Sequence, residues 1–169
     1  MNVQGKNIII TGGSLGIGKE TAFQLLKKGA NVLVTGRSID RLQKAFVNSN
    51  AKLISFDISD IDNLNLNAQR CLDIFNGNVD ILINNAGIGV RKSIDKLTYN
   101  DFINVYNVNV FGLSLFTKEI VKVMKTQKKG TIINIGSTAS LKGYKDGSIY
   151  ASSKFALRCL SQCWQSELR

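Results

Sequence analysis

The sequence predicts an α/β protein, a doubly wound parallel sheet with helices on both faces, and two patterns and one motif carry that prediction. Short β-branched apolar runs alternate with longer amphipathic segments. The runs are apolar on both faces, the pattern of strands covered above and below. A glycine-rich turn joins the first run to the first amphipathic segment. Right-handed crossovers between such elements give the doubly wound arrangement. No repeat, low-complexity tract or linker interrupts the alternation, so residues 1–169 read as a single domain.

Five strands are expected, at residues 7–11, 31–35, 51–56, 79–83 and 131–135, with helices near 17–28, 39–48, 61–75, 98–127 and 150–168. Gly29 and Gly130 follow Lys-rich last turns, where helix-terminating glycines belong. Ser38 and Ser59 are expected N-caps, and Thr98 opens the longest helix.

Composition narrows the chemistry. The chain has no His, which excludes Ser-His-Asp and Cys-His nucleophiles, HExxH zinc sites and mixed Cys/His fingers. Proton transfer must then run on Tyr, Lys, Asp, Glu or Cys. Pro is also absent, against an average usage of about 5%. Cys71, Cys159 and Cys163 contain no CxxC pair and leave an odd count, which argues against a disulfide framework or a thiolate metal site and suits a reducing, cytoplasmic location. Cys159 and Cys163 are expected to pack on one side of the last helix. No apolar stretch has the length of a signal peptide core or a membrane span.

The net charge of +10 is uneven: residues 1–84 carry 9 basic and 7 acidic side chains, residues 85–169 carry 13 and 5. Lys118, Lys122, Lys125, Lys128 and Lys129 have the spacing of one helix face. Without aromatic interleaving or a nucleic-acid motif, this is expected to be a solvated face rather than a nucleic-acid patch. The basic balance favours anionic small molecules.

The turn Thr11-Gly12-Gly13-Ser14-Leu15-Gly16-Ile17-Gly18 lies between a strand and a helix. A pyrophosphate needs backbone N–H groups and a helix N-terminus at close range, which side-chain-free positions permit. Gly12 can make the turn, Gly16 can admit the phosphates, and Gly18 can let the helix pack closely. At the end of the second strand, Gly36 stands where an acidic residue would grip the ribose hydroxyls of NAD, and Arg37 beside it can pair with the 2′-phosphate of NADP. NADP(H) is therefore favoured over NAD(H).

Tyr150 and Lys154 are four residues apart, on one helix face. An isolated phenol titrates near pH 10, and a lysine cation beside it favours the phenolate. Ser137 follows the fifth run, at the carboxyl end of a parallel strand, where doubly wound folds bind ligands.

These residues together resemble the short-chain dehydrogenase/reductase family, whose fold is Rossmann-like. The matching pieces are the Thr11 to Gly18 turn, Asp57-Ile58, Asn84-Asn85-Ala86-Gly87, Asn109 within Asn107-Val108-Asn109-Val110-Phe111-Gly112, Ser137, and Tyr150 with Lys154, in the family's order across the chain. The resemblance implies an oxidoreductase that interconverts a carbonyl and a secondary alcohol, with 3-oxoacyl thioester reductases nearest in substrate. It implies a cofactor site at Gly12, Ser14, Gly16, Ile17, Gly18, Arg37, Asp57, Ile58, Asn84, Ala86, Gly87, Tyr150 and Lys154. Asp57 and Ile58 would hold the adenine, and Asn84 would stabilise the central sheet. Tyr150 would be the general acid or base, Ser137 would orient the substrate carbonyl, and Asn109 would anchor a water in a proton relay through Lys154, which also binds the nicotinamide ribose. Helices at 98–127 and 150–168 would pair two copies of the chain.

Two features depart from the family pattern. Leu15 stands where NADP-preferring relatives often carry a basic residue. In the family the helix carrying Tyr and Lys leads into a sixth strand, a Pro-Gly turn, a substrate lid and a seventh strand; the chain is expected to end within or just after that helix without them, which leaves the fifth strand at an exposed edge. A truncated, non-catalytic relative that binds NADPH or a full-length subunit is the alternative reading.

Overall fold

The computed structural model describes residues 2–168. Strands β1 (Asn7–Ile10), β2 (Asn31–Gly36), β3 (Lys52–Ser55), β4 (Ile81–Asn84) and β5 (Thr131–Asn134) form one parallel sheet in the order β3-β2-β1-β4-β5. The chain runs outward from β1 to β3 on one side, then crosses back to β4 and β5 on the other. The crossing leaves a crevice at the carboxyl ends of β1 and β4, where such sheets take ligands.

Helices α1 (Gly16–Lys27), α2 (Ile39–Ala45), α3 (Leu64–Asp73), α4 (Tyr99–Tyr106), α5 (Leu113–Gln127) and α6 (Ser148–Glu167) follow in chain order. The strands bury side chains on both faces, as their sequence requires. Ile8, Ile10, Val32, Val34, Ile81 and Ile83 pack with Ala22 of α1 and Leu42 of α2. Ile9, Leu33 and Leu82 point the other way, against Cys71 and Leu72 of α3 and Phe116 and Ile120 of α5. Burial pushes the Cys71 thiol up to about 12, so it is an inert part of the core. Among the described helices, none is long and apolar enough to cross a membrane.

Several local expectations are corrected. The helix expected at 98–127 runs unbroken from Tyr99 to Gln127, but it contains a π turn at Asn107–Gly112 between α4 and α5. Periodicity could not show this, because the extra residue of a π turn answers to a neighbour outside the helix. Ser59 is not a cap; its N–H and hydroxyl both donate to Asp57, and α3 begins later, at Leu64. Ser38 and Thr98 do cap, the latter in a reciprocal box with Asp101. Gly29 adopts the left-handed conformation after α1, but α5 ends on left-handed Lys128, and Gly130 instead makes room for Met124. Cys159 and Cys163 are exposed rather than packed. The lysine face of α5 is solvated; Lys118 and Lys122 pair with Glu119, and Lys129 with Asp80. β5 lies at the sheet edge, beside a cleft of about 930 Å³ whose walls include Ile133 and Trp164.

Gly112, within the π turn, is pressed against the backbone carbonyl of Ile58, so that a Cβ there would overlap the oxygen. Because backbone cannot rotate away as a side chain can, Gly112→Ala is expected to destabilise the protein by about 1–3 kcal/mol, measurable as a lower urea midpoint with the slope unchanged.

Candidate functional site

The crevice at the strand ends is a cleft of about 690 Å³. Its floor is built by the turn after β1. Thr11 is buried, and its Oγ1 accepts the N–H groups of Asn85 and Ala86, each at 3.1 Å. In return, Asn85 Nδ2 donates to the carbonyls of Thr11 (2.9 Å) and Gly12 (2.7 Å). The first turn and the loop after β4 are therefore one unit. Gly12 is left-handed (φ +68°), and a Cβ would sit 2.6 Å from Ala86 Cα. Gly18 packs against the Asn85 amide, so its role is to close the turn rather than to line the cleft.

Gly16 is different: its φ is +58°, and nothing lies within 4 Å of the place its Cβ would occupy. This is the open side of the cradle. Helix α1 starts there with no side-chain cap and no acidic residue in its first turn, whereas α2 and α4 have both. First-turn N–H groups lacking an intrahelical partner, together with the positive end of the helix dipole, suit an anion such as a pyrophosphate.

At the β2 end, Gly36 and exposed Arg37 line the cleft, and Arg37 forms no salt bridge among the described residues. Asp57 and Ile58 line it after β3, with Asp57 Oδ1 committed to Ser59 and Oδ2 uncommitted. Ser14, Ile17, Ala86 and Gly87 complete this wall.

Tyr150 and Lys154 face the same cleft from the first two turns of α6. Lys154 Nζ lies 5.8 Å from the centroid of the Tyr150 ring and donates to the Ile135 carbonyl at 2.8 Å. No carboxylate among the described residues pairs with it, and burial pulls its pKa below the usual lysine value. Gly89 abuts the phenol ring, where a Cβ would lie 3.0 Å from Cδ2.

Asn109, Asn84 and Ser137, like Gly18, are not among the residues that line the cleft. Asn109 is buried; its Oδ1 accepts from Ile88 N (2.9 Å), and its Nδ2 donates to Ile88 O (2.8 Å) and Ser153 Oγ (3.0 Å). Its side chain clamps the β4 loop to α6, because Ser153 Oγ in turn donates to the Tyr150 carbonyl. Asn84 Nδ2 donates to Thr117 Oγ1 and Asn134 Oδ1, tying β4 to α5 and β5 on the side away from the cleft. Ser137 begins the short helical turn Thr138–Ser140; its Oγ accepts from Ala139 N, which leaves the hydroxyl proton free to donate.

Thr11, Asn85, Ser153 and Gly89 also hold the site together, and local sequence pattern assigns none of them a site role. Thr11 and Asn85 stood inside recognised motifs, but their partners are 74 residues apart. Nothing local marks Ser153 or Gly89.

The chain matches the family model described as short chain dehydrogenase over residues 6–169. It therefore belongs to the short-chain dehydrogenase family, a family of oxidoreductases acting on CH–OH donors. It is 31% identical over 174 residues to an NADP-dependent 3-hydroxy acid dehydrogenase of Schizosaccharomyces pombe, covering 98% of this chain and 66% of that one. Among solved structures, it is similar to a metagenomic short-chain oxidoreductase in complex with NADP (TM-score 0.92, 29% identity, 100% of this chain and 79% of that one). It is similar also to ElxO with NADP bound (TM-score 0.90, 30% identity, 98% and 68%). The chain spans between about half and three quarters of the length of the curated relatives it matches, 66% for the 3-hydroxy acid dehydrogenase and 52% for a 3-ketodihydrosphingosine reductase of Bos taurus.

Lys154 gives a signed pH dependence. Its folded pKa lies below the ordinary value of 10.5, so between the two the unfolded chain holds more protons and stability rises with pH. Lys154→Met is expected to abolish that part of the rise, read by urea unfolding at a series of pH values from 7 to about 10.5.

Proposed function

We propose that the chain is an NADP(H)-dependent oxidoreductase that interconverts a carbonyl and a secondary alcohol, with a 3-oxoacyl compound as the substrate class. The observation that carries this reading is that Tyr150 and Lys154 face the same cleft as the uncapped glycine turn and Arg37. A bound nicotinamide would supply the hydride donor or acceptor.

The first-turn N–H groups of α1 bind the pyrophosphate, and Asp57 Oδ2 takes the adenine amino group. Arg37 pairs with a 2′-phosphate, for which its unpaired guanidinium is suited. Tyr150 gives its phenolic proton to the carbonyl oxygen during reduction and takes one back during oxidation. Lys154, close to the ring, has two further N–H donors for the ribose beyond the one given to Ile135 O. Ser137 directs its hydroxyl proton at the carbonyl oxygen. Asn109 acts as a positioning residue, since its amide is committed to Ile88 and Ser153; a Cβ at Gly87 would lie 3.4 Å from Asn109 Oδ1 and 3.6 Å from Lys154 Nζ, so both groups border this glycine, beside which a relaying water would stand.

The same reading includes a reducing compartment, in keeping with three free thiols, and pairing of two copies through α4, α5 and α6, with Phe102 of α4, Phe155 of α6 and Phe111 of the π turn between α4 and α5 exposed. Such pairing requires the mass of two chains in light scattering.

The test is a titration of NADPH and NADH by cofactor fluorescence, followed by NADPH oxidation over a panel of 3-oxo compounds. NADPH is expected to bind at least tenfold more tightly, with Arg37→Gln removing most of the difference. Tyr150→Phe is expected to lower kcat by about 10²–10⁴-fold with the NADPH affinity kept. Tight NADPH binding without turnover of any substrate would favour the non-catalytic alternative.

A further inference from the structure

The substrate end of the cleft carries a cation that the proposed reaction does not use. After β4 the chain runs Gly87-Ile88-Gly89-Val90-Arg91-Lys92, and Gly89, Val90 and Arg91 line the cleft. The path of this loop is fixed relative to the phenol, because Gly89 abuts the Tyr150 ring. It is fixed again at Lys92, whose N–H donates to the Asp146 carbonyl at 3.0 Å and whose Nζ donates to both Asp101 oxygens at 2.7 Å.

The two neighbouring cations are therefore used differently. Lys92 is neutralised by the carboxylate that also closes the α4 capping box. Arg91 is exposed and forms no salt bridge among the described residues. Its guanidinium lies over the Tyr144 ring, 5.5 Å from the centroid, and Tyr144 lines the same cleft. A face-on aromatic contact orients a guanidinium while leaving its in-plane N–H groups available, and those match a carboxylate in paired hydrogen bonds.

The charges around the cleft favour the same ligand. The one carboxylate that lines it, among the described residues, is Asp57, after β3. Arg37 lies at that end too, after β2, whereas Arg91 shares its end with Tyr144 and Tyr150. We infer that Arg91, presented on Tyr144, binds a carboxylate on the substrate, so that the protein acts on an oxo acid and the matching hydroxy acid rather than on a neutral ketone. This rests on the oxidoreductase reading above, and it assigns a specificity residue and a substrate charge that the reading leaves open.

The experiment compares acetoacetate and levulinate with their methyl esters, using NADPH and the wild-type, Arg91→Gln and Arg91→Lys proteins. NADPH oxidation is followed for KM and kcat, and calorimetry on the NADP⁺ complex reads binding without turnover. At least one acid is expected to bind about 10–100-fold better than its ester. Arg91→Gln removes that preference through KM, with the NADPH affinity retained, and Arg91→Lys restores part of it. Equal handling of acid and ester by the wild-type protein, binding of neither, or an equal loss for both in Arg91→Gln overturns the inference while leaving the oxidoreductase reading in place. Failure of the wild-type protein to bind NADPH overturns both.

Discussion

The hydrogen-bonded junction between Thr11 and Asn85 is the constraint on which the rest of the site depends. A buried threonine and a half-buried asparagine, from turns following different strands, satisfy each other's backbone: a hydroxyl takes two N–H groups, and an amide takes two carbonyls. With neither residue in place, these backbone groups would lie part-buried and unpaired, at a cost of about 1–3 kcal/mol each. The junction also fixes the glycines. Gly12 has no room for a side chain because Ala86 is held against it, and Gly18 has none because the Asn85 amide occupies the space. Gly16 alone in the turn combines a left-handed conformation with an open outer side, a geometry suited to an anion.

A second set of buried polar contacts aligns the reacting end with the cradle. Asn109 grips the backbone of Ile88 and passes the contact through Ser153 to the carbonyl of Tyr150. Asn84, Thr117, Asn134 and Ser161 form a parallel chain joining β4, α5, β5 and α6. Both sets cross between elements that the hydrophobic core alone would leave free to slide, since apolar contacts are non-directional. Asn84 Oδ1 remains buried without a donor, which is an uncompensated cost of this arrangement. The π turn belongs to the same alignment: it carries Asn109 and brings Gly112 against Ile58, itself a wall of the cleft.

Electrostatics then divide the cleft. The α1 N-terminus and Arg37 make one end receptive to phosphates, while Lys154 and Arg91 leave cationic charge at the other. Lys154 is held there against a desolvation penalty, by one carbonyl and, among the described residues, no carboxylate.

The sequence by itself determined the strand and helix order, the two-sided burial of the strands and the glycine turn, because each is written in local periodicity or in a single conformational demand. It also placed Tyr150 and Lys154 one turn apart, since four residues in a helix leave no other option. Tertiary structure decided the rest. Whether Asn109 faces solvent or a backbone, whether Ser59 caps a helix or holds Asp57, and whether Gly130 ends a helix or admits Met124 all depend on partners from other elements. Thr11 and Asn85 are 74 residues apart, and Arg91 and Tyr144 come from separate loops; only the sheet's crossing from β1 to β4 and β5 brings such pairs together. Local pattern encodes which faces of an element must be buried, but a directional polar contact exists only when both partners have been placed.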